Sequence, residues 1–326
     1  MSAKGGTRAI LAAFAANLGI AIAKFVGFAI TGSASLLAEA IHSLADTGNQ
    51  ALLFLGGARA KRAATPEHPF GYGRERFFWA FVVSVVLFTL GGAFALYEGI
   101  EKLRHPHELD YFGVAIVILL VSVVLEALSF RTARHEANLE KPKSAGWWTF
   151  IRRTKNPELP VVLLEDSGAL IGLFFALIGV TLAKVTGNPR WDAVGSVAIG
   201  LLLIAISIVL AVEMKGLLIG ESASPARQLA IANAIKDSPE VQGIIHMKTE
   251  HIGPDELLVG VKVGFEPSMS IGDLADAINA VERRMRAAVP EARIIYIEPD
   301  VLREVDEFPE IDVPQDVAED VDEALP

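Results

Sequence analysis

The chain has 326 residues, of which 52% are hydrophobic, and its mean hydropathy is +0.42. So apolar a chain does not fit an ordinary soluble domain and predicts a protein largely embedded in a membrane. The formal net charge of −10 gives no reason to expect nucleic-acid binding, and the lack of Cys excludes disulfides and thiolate metal sites.

Six segments are long and apolar enough to be predicted as membrane-spanning helices, since a span needs about 20 residues. In chain order they cover roughly 9–30, 34–57, 77–100, 111–130, 158–183 and 191–218. The first is longer than the apolar part of a signal peptide, about 7–15 residues, and is interpreted as a retained helix. Small residues recur in "GGAFALYEG" and "GALIGLFFALIG", which predicts close helix packing.

The loops between these segments differ in positive charge. Most Lys and Arg lie after the second and the fourth segment: Arg59, Lys61, Arg62, Arg74, Arg76, Arg131, Arg134, Lys141, Lys143, Arg152, Arg153 and Lys155. Because basic loops stay in the cytoplasm, both termini are predicted to be cytoplasmic. The expected location is the bacterial inner membrane, as a multi-pass protein in contact with lipid.

The second segment, "AEAIHSLADTGNQALLFL", carries a polar stripe. Glu39, His42, Asp46, Asn49 and Gln50 follow helical spacing and share one face. An aspartate at the centre of a membrane helix costs about 2.5–3.5 kcal/mol. Buried charges are normally paired, protonated or bound to a cation, so the stripe predicts a site inside the bundle.

The fifth segment repeats part of this pattern. It contains Glu165 and Asp166 in "PVVLLEDSG", and the Asp-Ser-Gly there echoes the Asp-Thr-Gly that begins at Asp46. His42 and Asp46, together with one or two ligands from the fifth segment, would suit a tetrahedral divalent ion such as zinc. Such ligands release protons when metal binds. The alternative is a hydrogen-bond network that only holds the helices together.

After about Gly220 the sequence changes character. Segments typical of helix, two strands, helix and strand predict a small two-layer α+β domain in the order αββαβ. The predicted organisation is a transmembrane transport domain over 1–219, a cytoplasmic dimerisation domain over 220–300, and an acidic, disordered tail over 301–326.

From about residue 8 to 300 the chain resembles the cation diffusion facilitator family of divalent-metal/proton antiporters. The resemblance rests on these motifs: "SASLLAEAIHSLADT", "HPFGYGRERFFWAF", "DAVGSVAIGLLL", "LLIGESASP" and "TEHIGPDELLVGVKV". It implies six membrane helices, a metallochaperone-like C-terminal domain and a homodimer. It also implies a C-terminal domain that dimerises without a well-formed binuclear metal site.

The resemblance implies a metal site with two ligands from helix two and two from helix five. His42 and Asp46 match the first pair and Asp166 the last position, but the usual His of helix five falls at Val162. Glu165 is the expected substitute, but it lies about 100° around the helix from Asp166. Both carboxylates reach one ion only if the helix begins or bends there, helped by Pro160; otherwise Asn17, Gln50 or water would complete the shell. More oxygen ligands favour Mn²⁺ or Fe²⁺ over Zn²⁺.

Three functions are compatible with this pattern. The favoured one is a secondary transporter that exports a divalent metal, Zn²⁺ first and Mn²⁺ or Fe²⁺ as alternatives, in exchange for protons. An intramembrane metalloenzyme is disfavoured because the sequence has neither His-Glu-x-x-His nor Gly-x-Ser-x-Gly, so no enzyme is expected. The third is a membrane scaffold or receptor without transport.

Overall fold

The computed structural model describes residues 3–106, 111–141, 143, 145–303, 308 and 311, with side chains from residue 17 onward. By its contacts the chain forms two units. The helical unit comprises Met1–Arg59, Phe78–Glu140 and Asn156–Lys215, and the C-terminal unit comprises Ala60–Phe77, Lys141–Lys155 and Gly216–Pro326.

The elements follow in chain order. They are α1 (Ala3–Thr31), α2 (Ala34–Ala60), α3 (Glu75–Val86), a π-helical segment (Leu87–Ala93), α4 (Phe94–Arg104), α5 (Phe112–Glu140), α6 (Trp147–Arg153), α7 (Glu158–Thr186), α8 (Arg190–Ile219), α9 (Pro225–Lys236), β1 (Val241–Gly253), β2 (Glu256–Phe265), α10 (Ile271–Ala288) and β3 (Ala292–Asp300). All six predicted membrane segments are helical.

Four helical stretches are long and apolar enough to cross a membrane: Glu75–Arg104, Phe112–Glu140, Glu158–Thr186 and Arg190–Ile219. In α1 the apolar stretch Asn17–Thr31 is shorter. Although α2 has 27 residues, it is not among the four. Its polar stripe lowers its apolarity, and most of that stripe is buried.

Glycines bring the helices of this unit into close contact, as the small-residue pattern predicted. A Cβ atom on Gly200 of α8 would lie 2.9 Å from the carbonyl oxygen of Gly92 and 2.6 Å from the backbone nitrogen of Leu96. On α7, a Cβ atom on Gly172 would lie 2.5 Å from Oε1 of Glu39. Glycine is therefore required where backbones and buried polar groups meet this closely.

The C-terminal unit contains the predicted αββαβ fold. Its sheet has the order β1-β2-β3, with β1 antiparallel and β3 parallel to the central β2. Alternate residues of β2, Val259, Val261 and Val263, form the core with apolar residues of α9 and α10. Ser270 caps α10 by accepting a hydrogen bond from Asp273 N at 3.2 Å, as its sequence predicted.

This unit also includes two connections that the sequence assigned to the membrane domain. Ala60–Phe77 and Lys141–Lys155 group with the residues after Gly216. At Gly73 a Cβ atom would lie 2.6 Å from the carbonyl oxygen of Ile252, and Arg76 pairs with Asp255 at 3.3 Å. The contact units thus differ from a division at residue 219. Most of the predicted tail over 301–326 lies outside the described residues.

Candidate metal centre

The centre of the polar stripe is a buried face of α2. His42, Asp46 and Asn49 are 0%, 9% and 0% exposed. Their spacing of four and three residues places them on successive turns of one helix face. The Nε2 atom of His42 lies 3.5 Å from Oδ2 of Asp46, so the sequence correctly predicted that these two groups share one side.

Several polar atoms of this face have no hydrogen-bond partner within the described part of the chain. They are both ring nitrogens of His42, Oδ1 of Asp46 and Oδ1 of Asn49. An unsatisfied buried polar group costs about 1–3 kcal/mol, and native proteins contain few of them. In either neutral tautomer of His42, one ring nitrogen carries a hydrogen and the other a lone pair. That nitrogen and the two oxygens are three atoms that can each bind a cation.

On α7 the two predicted carboxylates lie against different helices. Oε1 of Glu165 accepts a hydrogen bond from Nδ2 of Asn49 at 2.6 Å, which places Glu165 beside the α2 face. Oδ2 of Asp166 accepts from Oγ of Ser129 on α5 at 3.0 Å. The two side chains diverge because consecutive residues of a helix are about 100° apart.

The segment predicted to begin at residue 158 does begin there, so α7 does not start at these carboxylates, which was one condition for both of them to reach a single ion. The helix begins at Glu158, and Pro160 occupies its first turn, where proline is tolerated. Glu165 and Asp166 therefore both lie about two turns inside the helix. Val162, which stands where the resembled family has its His, is partly buried.

The four predicted ligands do not converge on one point in this conformation. Among the described residues no group of three or more His, Asp or Glu side chains is arranged to hold a metal ion. His42 and Asp46 form a pair, and Asn49, on the same helix face, is hydrogen-bonded to Glu165. The alternative ligands Asn17 and Gln50 are only partly buried.

The sequence predicted no contacts for two residues near the centre. Asn49 was recognised as part of the stripe, but its hydrogen bond to Glu165 depends on how α2 packs against α7. Ser129, the donor to Asp166, is an ordinary helix residue and gives no signal in the sequence. A third residue, Glu126 of α5, also has a partner that the sequence alone does not predict. It is buried and lies 3.8 Å from Nζ of Lys24.

The histidines outside the membrane segments are separate from this centre. The ring of His68 stacks on Tyr72 at 4.6 Å, and its backbone closes a turn with Thr65, which fits a structural loop residue. On β1, His246 is exposed and His251 buried, as expected for opposite sides of a strand. Burial, together with the charges of Lys155 and Arg227, lowers the pKa of His251 to about 4.

Apolar helices that enclose ionisable residues, joined to a small α+β unit, define an integral membrane protein with a polar site inside its helical bundle. The model of the cation efflux transmembrane domain matches residues 10–219. The chain therefore belongs to the cation efflux family, which confirms the resemblance to the cation diffusion facilitators.

Named relatives share much of this chain. The mitochondrial proton-coupled zinc antiporter SLC30A9 of Xenopus laevis is 32% identical over 267 residues, which cover 82% of this chain and 48% of the relative. The human protein of that name is 30% identical over 264 residues, 81% and 46% of the two chains. The chain thus spans about half the length of these antiporters. The magnetosome protein MamB of Paramagnetospirillum magneticum is 24% identical over 286 residues, 87% and 90%.

Solved structures with local similarity are those of the C-terminal domain of MamM. One of them, residues 215–293 of MamM, is 18% identical, covers 24% of this chain and 96% of its own, and has a TM-score of 0.23.

Proposed function

We propose that this chain exports a divalent metal ion, Zn²⁺ first, from the cytoplasm in exchange for protons. The observation that carries the proposal is the set of unpartnered atoms on His42, Asp46 and Asn49 inside an apolar bundle. A divalent cation would bind Oδ1 of Asp46, Oδ1 of Asn49 and the one ring nitrogen of His42 that carries a lone pair, whereas a purely structural network would leave these atoms unpaired.

His42, Asp46 and Glu165 are the proposed ligands. A ring nitrogen and two carboxylates are ligand types that zinc accepts, and together they would supply three protein ligands. Glu165 reaches the ion by leaving its hydrogen bond with Nδ2 of Asn49, and Oδ1 of Asn49, which has no partner within the described residues, is the proposed fourth ligand. Asp166, which faces Ser129, contributes charge to the centre and joins the shell only if α7 turns.

The ligand chemistry supports Zn²⁺ ahead of the two alternatives. An imidazole suits zinc, while each added oxygen ligand makes the site better for Mn²⁺ or Fe²⁺. With Val162 in place of a second His, selectivity for zinc is expected to be modest. The names of the relatives, proton-coupled zinc antiporters, support the same order.

Proton exchange follows from the same ligands. Imidazole and carboxylate groups bind metal only when deprotonated, so protons that load them on the far side displace the ion. Transport, and not catalysis, is supported by the family and by these names. The basic loops support cytoplasmic termini, and the C-terminal unit is the proposed dimer contact. For the membrane, the bacterial inner membrane is proposed.

The decisive experiment is metal uptake into proteoliposomes that hold the purified chain under a proton gradient. Wild type, Asp46→Ala and Glu98→Gln are compared, the last being a carboxylate of α4 outside the centre. We expect Zn²⁺ uptake that depends on the gradient, unchanged by Glu98→Gln. Asp46→Ala should lower it at least about 100-fold, because outer-shell groups alone contribute about 10–100-fold to metal affinity.

Mn²⁺ and Fe²⁺ are assayed in parallel to rank the substrates. If Asp46→Ala transports every metal as well as wild type, the proposed centre is wrong and a scaffold or receptor role takes its place.

A further inference from the structure

A buried lysine lies beside the candidate metal centre. Lys24 of α1 is 0% exposed, and its Nζ atom donates to Oγ of Ser43 at 2.7 Å and to Oε2 of Glu39 at 3.0 Å. Oε1 of Glu126 on α5 lies 3.8 Å away. Lys24 therefore pairs with Glu39 inside the bundle.

This lysine network adjoins the centre through α2. Ser43 directly follows His42, and Glu39 is three residues before it on the same polar stripe. Nζ of Lys24 is therefore one hydrogen bond away from the residue that follows His42 in α2. Because the bundle interior has a low dielectric constant, a full positive charge at this distance is only weakly screened.

The positive and negative charges of this lysine network are not equal in number. When ionised, the ammonium faces two carboxylates, and Oε1 of Glu39 has no hydrogen-bond partner within the described part of the chain. A lysine kept only to neutralise Glu39 would not need a second acid from another helix. Its charge is thus shared among α1, α2 and α5 at the level of the centre.

We propose that Lys24 is a fixed counter-cation that limits how tightly the centre holds its divalent ion and so speeds its release. An ammonium has no lone pair, so Lys24 cannot be a ligand and acts through repulsion of the bound ion. A transport site must bind its ion strongly enough to load it and weakly enough to let it go. The inference rests on the proposed function, because it requires metal at His42 and Asp46.

The test uses charge changes of opposite sign. Lys24→Gln removes the repelling charge and should lower the Kd for Zn²⁺ about tenfold, within the roughly 5–150-fold range of typical couplings. It should also slow turnover. Glu39→Gln removes an attractive charge and should raise the Kd by a similar factor. The double variant Lys24→Gln/Glu39→Gln restores the balance, and its Kd should return to within about threefold of wild type.

Binding is measured on the full chain in nanodiscs at fixed pH, by competition with a fluorescent zinc chelator. Lys102→Gln is the matched control, since Lys102 is also buried but pairs with Asp192 at 3.5 Å. It should leave the Kd unchanged. If Lys24→Gln does not fold, the Kd of the double variant is compared with that of Glu39→Gln instead. These two variants differ only at residue 24, and in the double variant neither member of the Lys24–Glu39 pair is left charged without the other.

The outcomes separate the two proposals. If wild type binds no Zn²⁺, the proposed function fails. If wild type binds Zn²⁺ but Lys24→Gln raises the Kd or leaves it unchanged, Lys24 has only a structural role and the inference is overturned. The same holds if the double variant binds Zn²⁺ as weakly as Glu39→Gln.

Discussion

Two buried polar clusters of the helical unit differ in how completely their atoms are paired. In one, Asp192 of α8 is 0% exposed, and its carboxylate accepts from Ser33 Oγ at 2.8 Å, Ala34 N at 2.8 Å and Ser35 N at 3.4 Å. Lys102 lies 3.5 Å from the same group. In the other, the candidate centre, four atoms of His42, Asp46 and Asn49 are unpaired.

The difference in hydrogen bonding distinguishes a cluster that holds helices together from one that can bind a ligand. Asp192 lies in the first turn of α8, as its sequence position predicted, but its carboxylate caps the first residues of α2. Its interactions leave no capacity for a ligand, so it fixes the packing of two helices. The centre carries a similar burial cost without internal compensation, which is expected where an external cation supplies the missing partner.

The largest effect on stability is expected at the saturated cluster. Asp192→Ala leaves Lys102 buried without its carboxylate, and breaking a buried pair in this way costs about 3–5 kcal/mol. The midpoint of thermal unfolding in detergent should fall clearly, while the Kd for Zn²⁺ of the protein that remains folded stays within about threefold of wild type. If Asp192→Ala lowered the affinity for zinc without lowering stability, the Asp192 cluster would not be purely structural and the two clusters would not differ in role.

His251 sharpens the comparison. Its Nε2 atom is also buried and has no hydrogen-bond partner among the residues that the structure describes, but it lies outside the membrane segments. Its folded pKa of about 4 lies below its ordinary value of 6.5. The unfolded chain thus binds more protons between these values, and stability should rise with pH across this window by about 3 kcal/mol in total.

Hydrogen exchange of β1 in the full chain, measured from pH 4 to 7, reports this change. His251→Gln should remove most of the pH dependence and leave zinc transport intact. If His251→Gln weakened zinc transport, the unpaired nitrogen of His251 would have to be counted as a metal ligand too.

The smallest effect is expected from the choice between the neighbouring carboxylates of α7. Glu165→Gln should lower zinc transport about tenfold, since its carboxylate lies against the α2 face, and Asp166→Asn by less than about threefold. Initial rates of uptake in proteoliposomes decide the order. The reverse order would mean that α7 turns during transport and presents Asp166 to the ion.

Local pattern was enough to predict much of the fold. Apolar length predicted the six helices, alternation and turn residues predicted αββαβ, and helical spacing predicted the His42–Asp46 pair. The partners of Asp166 and Glu126 depend on which helices are neighbours, which periodicity does not specify. The grouping of Ala60–Phe77 with the C-terminal unit depends on contacts between segments far apart in sequence, such as Gly73 with Ile252.

The π-helical segment Leu87–Ala93 interrupts the long helix Glu75–Arg104 and changes which residues after it face a given side. A π turn holds one residue more than an α turn, so residues after it are rotated by roughly 100° from where an unbroken helix would carry them. The segment includes Gly91, where a Cβ atom would lie 3.9 Å from Nδ1 of His42. The extra residue of this segment therefore sets which residues after it lie on the face that carries Gly91 and borders the candidate metal centre.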